Sequence, residues 1–275
     1  SVTSIGDNAF GSCPFTSIKI PESVTSIGES AFFNCNIKSI CIPKGVTSIS
    51  ELLFWSCDSL TNIKLHDGIT SIGYSAFSGC SALTSINIPA AVTGIGNYAF
   101  RDCRSLTDIN IPAAVTSIGY SAFQGCSGLT SFVVEEGNTM YDSRGNCNAL
   151  IETATNKLIT GTNNTIIPEG ITSIGNYAFY GCTGLRSITI PDKVTVIEPY
   201  TFYYCHNLYD VKLGKYTTTI RSRAFEGCES LRMLYLPSTI ERIERGSLLC
   251  PSMTELYCAA PTPPYLEGDA IYGDD

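Results

Sequence analysis

This chain is short of charge, of histidine and of long apolar runs, and each shortage excludes a class of protein. Asp, Glu, Lys and Arg make up only 15% of its 275 residues, while 44% are apolar. Intrinsic disorder needs the opposite balance, so a folded chain is expected. Lys and Arg number 17 against 25 acidic residues, a net charge of −8. Nucleic-acid binding neutralises phosphates with cations, so no nucleic-acid partner is expected. No stretch approaches the roughly 20 apolar residues that cross a bilayer, so no transmembrane segment is expected. No charged-then-apolar leader opens the chain, which begins inside a repeat at Ser1.

Catalytic and metal motifs are also lacking. There is no G-x-S-x-G, phosphate loop, H-E-x-x-H or EF-hand loop. "DSRGNCNALIE" from Asp142 looks like a calcium loop only superficially, since Arg144 and Asn146 hold ligand positions. The two histidines, His66 and His206, have no repeated acid or nucleophile placed near them by register. His66 stands where a strand-ending proline recurs, and both are expected at the surface. A Cys205–His206 dyad is conceivable, but adjacent residues seldom face each other. No catalytic residue, metal or cofactor is expected, and the chain reads as a non-enzyme.

What is abundant is repetition. Aligned on the phenylalanine of "AF", the series runs Phe10, Phe32, Phe54, Phe77, Phe100, Phe123, Phe179, Phe202, Phe225, with Leu248 as a degenerate tenth. The step is 22 or 23 residues except for one of 56, which is one period of 23 plus 33 further residues. The consensus V-T-S-I-G-x-x-A-F-x-x-C-x-x-L-T-S-I-x-I-P-x-x identifies a solenoid, in which each unit buries its apolar face only by stacking on its neighbours. Alternation in "SINI" predicts a short strand ended by Pro89. "VTSIG" predicts a second extended piece, and the residues around Ala122 and Phe123 a short helical or 3₁₀ turn.

"IPxxVTSIGxxAFxxCxxLTSIxIP" resembles the repeat of the BspA-like leucine-rich repeat family, with the Pro, Ile-Gly, Ala-Phe and Cys positions in phase over residues 1 to about 258. The resemblance implies a right-handed solenoid with a parallel sheet on its concave face. It also implies secretion or display on a bacterial cell surface, and adhesion to a host or neighbouring-cell protein or glycan. The expected organisation is one solenoid of about ten coils over 1–258, followed by an irregular, truncated extension over 259–275. Neither end reads as a polar cap, so both are expected to continue. The chain is expected to be monomeric.

Residues 139–164 interrupt the repeat. "NALIET" and "KLITGT" flank "ATN", which predicts a β-hairpin with a three-residue loop. It is either a protruding docking element or a tolerated insert packed on the flank. Asn163-Asn164-Thr165 is a glycosylation sequon. Departures from the consensus gather late in the chain, where Glu198 and Arg221 replace the glycine.

Ten of the 13 cysteines hold one repeat position: Cys13, Cys35, Cys57, Cys80, Cys103, Cys126, Cys182, Cys205, Cys228 and Cys250. Zinc sites pair thiols closely, as in C-x₂-C, whereas these form a row. In-register side chains fit disulfide geometry poorly, and an odd total leaves one cysteine unpaired. The column reads as buried free thiols filling space as small hydrophobes. Cys41, Cys147 and Cys258 lie off it, and Cys41 and Cys147 are expected to be more exposed.

The remaining candidate surface is the outward face of the strands. It is small and polar until the C-terminal third, where Met233, Tyr235 and Tyr257 come together with Tyr209, Asp210, Lys212 and Glu255. Aromatic and Met side chains are enriched at protein interfaces, so these seven residues form the candidate binding surface. The alternatives are that the tyrosines pack against a C-terminal continuation, or that the chain is a stalk presenting another domain.

Overall fold

The alternation of small polar and branched apolar residues sets the strands, and stacking sets their partners. In the computed structural model, which describes residues 1–271, the chain divides into two compact units. One holds residues 1–129 and 133–141; the other holds 130–132 and the chain from Asp142 onward. The sequence reading expects one solenoid over 1–258; the division falls at the interruption, and each unit is built of repeat coils.

In the first unit, strands Ser48–Ile49, Ser71–Ile72, Gly94–Ile95 and Ser117–Ile118 pair parallel in one four-stranded sheet, each Ser-Ile opposite the equivalent pair of the next coil. Val46, Ile69, Val92 and Val115 enter the core two residues before each strand. Between them Thr70, Thr93 and Thr116 face outward, and each hydroxyl donates to the backbone carbonyl of the threonine one coil earlier. The strand after the cysteine is short: Ser39–Cys41 pairs with Asn62–Lys64. No strand forms over Thr84–Ile88, although Ile86 and Ile88 are buried as the alternation predicts.

Phenylalanine rings form the core's column. Successive rings from Phe10 to Phe123 lie 5.3 to 5.8 Å apart and nearly parallel. In the second unit Phe179, Phe202 and Phe225 repeat this at 5.1 Å. Offset stacking adds about 0.5–1.5 kcal/mol per pair beyond simple burial.

The Ala-Phe turn is not helical. The residues two before and two after each phenylalanine adopt left-handed backbone, as at Tyr98 and Asp102 (φ 56° at both) or Tyr200 and Tyr204 (φ 58° and 57°). The two left-handed residues lie four apart, and between them every second N–H points along the stack instead of back into its own turn. Phe54 N–H donates to Ala76 O at 2.9 Å, Phe77 to Ala99 at 2.8 Å and Phe202 to Ala224 at 2.8 Å. A left-handed non-glycine residue costs about 1–2 kcal/mol, and a buried unpaired N–H costs a comparable amount. The inter-coil bond therefore decides the conformation, and Gly79 (φ 78°) fills the same place without the steric cost.

In the second unit the predicted hairpin forms: Leu150–Glu152 pairs antiparallel with Lys157–Thr160. Its loop has four residues, 153–156, not three, because Glu152 pairs with Lys157. The hairpin does not protrude. Lys157 and Leu158 pair parallel with Ser173 and Ile174, so its second strand takes the Ser-Ile place of a coil. Gly161 N–H donates to Ala178 O at 2.8 Å, the bond a repeat phenylalanine makes elsewhere. Leu150, Ile151 and Leu158 are fully buried. Arg144 holds the hairpin's loop, its guanidinium reaching Asp142 (Nη2 to Oδ2, 2.5 Å) and Asn156 Oδ1 (2.8 Å). Burial of Asp142 works against ionisation, yet its bonds with Arg144 outweigh it and hold the carboxyl below the usual carboxylate range.

The segment expected to be an irregular extension contains most of another coil. Strands Val196–Ile197, Thr219–Ile220, Arg242–Ile243 and Tyr265–Leu266 form one parallel sheet. Leu248 N–H donates to Ala270 O at 2.9 Å, with Ala270 buried. "LEGDAI" thus reads as a degenerate "IGxxAF". Residues 259–264 remain irregular, and 272–275 lie outside the described residues.

Candidate functional site

The short strands of the second unit carry the candidate surface, and their register assembles it. Ser187–Thr189 pairs with Asp210–Lys212 and Met233–Leu236 with Glu255–Cys258, all parallel. Tyr235 lies opposite Tyr257 and Met233 opposite Glu255, as the repeat alignment predicts. The two tyrosine rings stack 4.7 Å apart at 12°. The Tyr257 hydroxyl donates to Glu255 Oε2 at 2.7 Å, and its proton is held more tightly than usual by that bond and the nearby charge. Tyr209, Asp210, Lys212, Met233, Tyr235, Glu255 and Tyr257 are all exposed, with Tyr209 and Tyr235 at 58% and 60%. A groove of about 550 Å³ runs between Tyr209, Asp210, Arg232, Met233 and Tyr235, floored by Val211. Five residues of that groove escaped the sequence reading: Val211, Glu229, Ser230, Arg232 and Ser252. Glu229 follows the cysteine, where the consensus is blank, and Arg232 follows the leucine, where exposed threonine recurs at Thr61, Thr84, Thr107 and Thr130.

The cysteine column is buried apart from half-buried Cys13, and every cysteine is a free thiol. The side chains do more than fill space. Cys57, Cys80, Cys103 and Cys126 donate their S–H to the carbonyls of Phe32, Phe54, Phe77 and Phe100 at 3.0 to 3.2 Å. Cys205, Cys228 and Cys250 do the same to Phe179, Phe202 and Phe225 at 3.1 to 3.2 Å. Burial pushes the Cys57 thiol up to about 12 and raises Cys80, Cys103, Cys126, Cys205 and Cys228. A thiolate nucleophile is thus disfavoured at these six positions. Cys41 and Cys258 are exposed; Cys147, expected to be exposed, is 2% exposed. It packs with Ala149, Ile151 and Leu158 because the hairpin folds into the core.

The Cys205–His206 dyad does not form. Cys205 faces the core, while His206 Nδ1 lies 3.1 Å from Glu229 Oε1 and its ring stacks on Tyr204. His66 Nδ1 accepts from Gly68 N–H, which leaves Nε2 to donate to Val46 O at 2.9 Å. It closes the turn that a proline closes elsewhere. In the sequon, Thr165 Oγ1 is buried against Asn148 O at 2.7 Å and Asn163 Oδ1 accepts from Gly184 N–H at 2.9 Å. Both side chains serve the fold.

A second aromatic group lies at the turns. Tyr177 stacks on Tyr200 at 4.8 Å and Tyr180 on Tyr203 at 5.3 Å, with Tyr204 at 4.1 Å from Tyr203. Burial, with help from Tyr204 and Glu226, raises the Tyr203 hydroxyl's pKa. "NYAFYGC" and "PYTFYYC" carried the signal, tyrosine two before and one after the phenylalanine, at positions a consensus leaves blank. The replaced glycines also find a role: Glu198 and Arg221 pair at 3.5 Å, and Glu244 accepts from Ser222 N–H at 3.0 Å.

Among the described residues no helix is long and apolar enough to cross a membrane. A sequence model of the BspA-type leucine-rich repeat region matches residues 3–140 and 152–260, in six copies. The chain is similar to a solved leucine-rich repeat protein from Bacteroides ovatus, at 29% identity and a TM-score of 0.62, covering 93% of this chain and 66% of that one. It thus spans slightly under two thirds of that relative. A leucine-rich cell surface protein from Faecalibacterium prausnitzii is similar at 28% identity and a TM-score of 0.69, covering 94% of this chain and 83% of the other. The pneumococcal vaccine antigen PcpA shares the fold, at 21% identity and a TM-score of 0.78, over 95% of this chain and 75% of that one. No curated protein matches.

Proposed function

Because the chain belongs to the BspA-type leucine-rich repeat family, we propose that it acts as a secreted or surface-displayed bacterial binding protein. The observation that carries this reading is the exposed Tyr235–Tyr257 stack beside Met233 and the Tyr209 groove. Register-paired strands hold these side chains, so little conformational freedom is lost when a partner covers them. Buried tyrosine and methionine anchors carry much of the energy at protein interfaces. The similarity to a cell surface protein of F. prausnitzii supports the location. The partner is a macromolecule of a host or neighbouring cell, and adhesion is the activity.

A panel of immobilised matrix proteins and glycans, probed with the wild type and with Tyr235→Ala/Tyr257→Ala, tests the site. Loss of about 2 kcal/mol of affinity for the retained partner is expected, roughly 30-fold. Equal retention of both proteins by every ligand would remove this face as the binding site.

A further inference from the structure

The basic residues of the second unit fall into two populations. Six of them, Arg144, Lys215, Arg221, Arg223, Arg242 and Arg245, each lie within 3.6 Å of a carboxylate oxygen. These sit along the turns and the Ser-Ile strands. Among the described residues no carboxylate pairs with Arg186, Lys212 or Arg232, and all three lie on the face of the short strands. Lys157 and Lys193 are also without such a pair but lie off that face, on the hairpin and in a turn.

Register places the three cations. Arg186 precedes the strand Ser187–Thr189, and its carbonyl accepts from Tyr209 N–H at 2.9 Å, which aligns these two residues on adjacent coils. Arg232 holds the equivalent place one coil further on, beside the groove. Lys212 lies between them, opposite Thr189. Two coil spacings separate Arg186 from Arg232, about 10 Å. Three acidic residues lie nearby, and two have partners of their own: Glu255 accepts from the Tyr257 hydroxyl and Glu229 lies against His206. Asp210 alone stands unpaired among them.

We infer that this face takes an acidic segment of a partner protein. The inference rests on the reading of this face as a binding surface and names the chemistry it recognises. A chain of net charge −8 repels anions at long range, so three cations free of direct ion pairs on one face offer an anion its contacts. Guanidinium forks bind carboxylates in two-bonded geometry. In a polyproline-II chain, residues three apart face the same side and rise about 9 Å, close to the Arg186–Arg232 separation. Such chains commonly dock in aromatic-lined grooves, and here Tyr209 and Tyr235 line the groove. A glycan is less well matched. Sugars lie on exposed ring faces, and Tyr235 and Tyr257 each give up one face to the other.

The probe is a labelled (Glu-Pro-Pro)₄ peptide, with (Gln-Pro-Pro)₄ and a heparin fragment as comparisons, read by fluorescence anisotropy at low and high salt. The expected result is that the Glu peptide binds about tenfold more tightly than the Gln peptide, and that raising salt narrows the gap. Arg186→Gln/Lys212→Gln/Arg232→Gln should abolish that preference; the three side chains are exposed, so its thermal unfolding should match the wild type. Equal binding of both peptides, or a triple variant that keeps the preference, would overturn the inference. Capture of heparin with no uptake of the Glu peptide would overturn it in favour of an anionic glycan. A macromolecular partner lost on Tyr235→Ala/Tyr257→Ala but kept by the triple variant would sink the acidic partner and leave the binding surface standing.

Discussion

At the scale of the residue, Cys103 shows how a repeated side chain earns its position. It is fully buried, and its S–H reaches Phe77 O at 3.2 Å. That carbonyl also accepts the N–H of Cys80 within its own coil at 3.0 Å, so the thiol completes the second lone pair. Cys103→Ala should cost about 1–3 kcal/mol in denaturant unfolding, from the lost donor and the small void together. A variant as stable as the wild type would show that the sulfur only fills space. That the column is buried was legible from ten equivalent positions; the thiol's hydrogen bond was not, because its acceptor lies on another coil. Cys147 shows the reverse: it lies outside the column, and only the folding-in of the hairpin buries it.

At the scale of the element, the hairpin decides whether the interruption is an insert or a coil. Its two strands and their turn were legible in "NALIETATNKLITGT". Its incorporation was not, because parallel pairing of Leu158 with Ile174 leaves no local mark in either segment. Leu158→Ala should therefore cost about 2–5 kcal/mol, a core penalty, when followed by chemical denaturation. A change below about 0.5 kcal/mol would return the hairpin to the flank. Insertion of two glycines after Ala154, in the exposed loop, should be nearly neutral by the same measurement.

At the scale of the whole molecule, stacking buries enough thiols to tie stability to pH. Burial raises the thiols of Cys35, Cys57, Cys80, Cys103, Cys126, Cys147, Cys205 and Cys228 above their ordinary value near 9. The unfolded chain releases these protons first, so it binds fewer protons than the folded chain once pH passes 9. Stability is then fully present below pH 9 and falls as pH rises toward the folded values, about 12 for Cys57. Each thiol adds a slope of at most about 1.4 kcal/mol per pH unit. Unfolding free energy should be level from pH 7 to 8 and drop steeply above 9, less steeply in Cys103→Ala/Cys228→Ala. A flat profile to pH 11 would mean the thiols are not desolvated.

The period, most of the strand positions, the phenylalanine and cysteine columns and the facing of Tyr235 and Tyr257 were determined by the sequence alone. Each follows from one residue type recurring at fixed spacing, and stacking converts spacing into adjacency. Tertiary structure alone decided the turns, the docking of the hairpin into the stack and the charge pattern. The left-handed turn at Tyr98 and Asp102 exists because its N–H groups find acceptors on the next coil, and no propensity within the turn announces that. The free state of Arg186, Lys212 and Arg232 is likewise a fact about what lies across the sheet. Along the chain they read no differently from Arg221 or Arg242, whose carboxylates come from other coils.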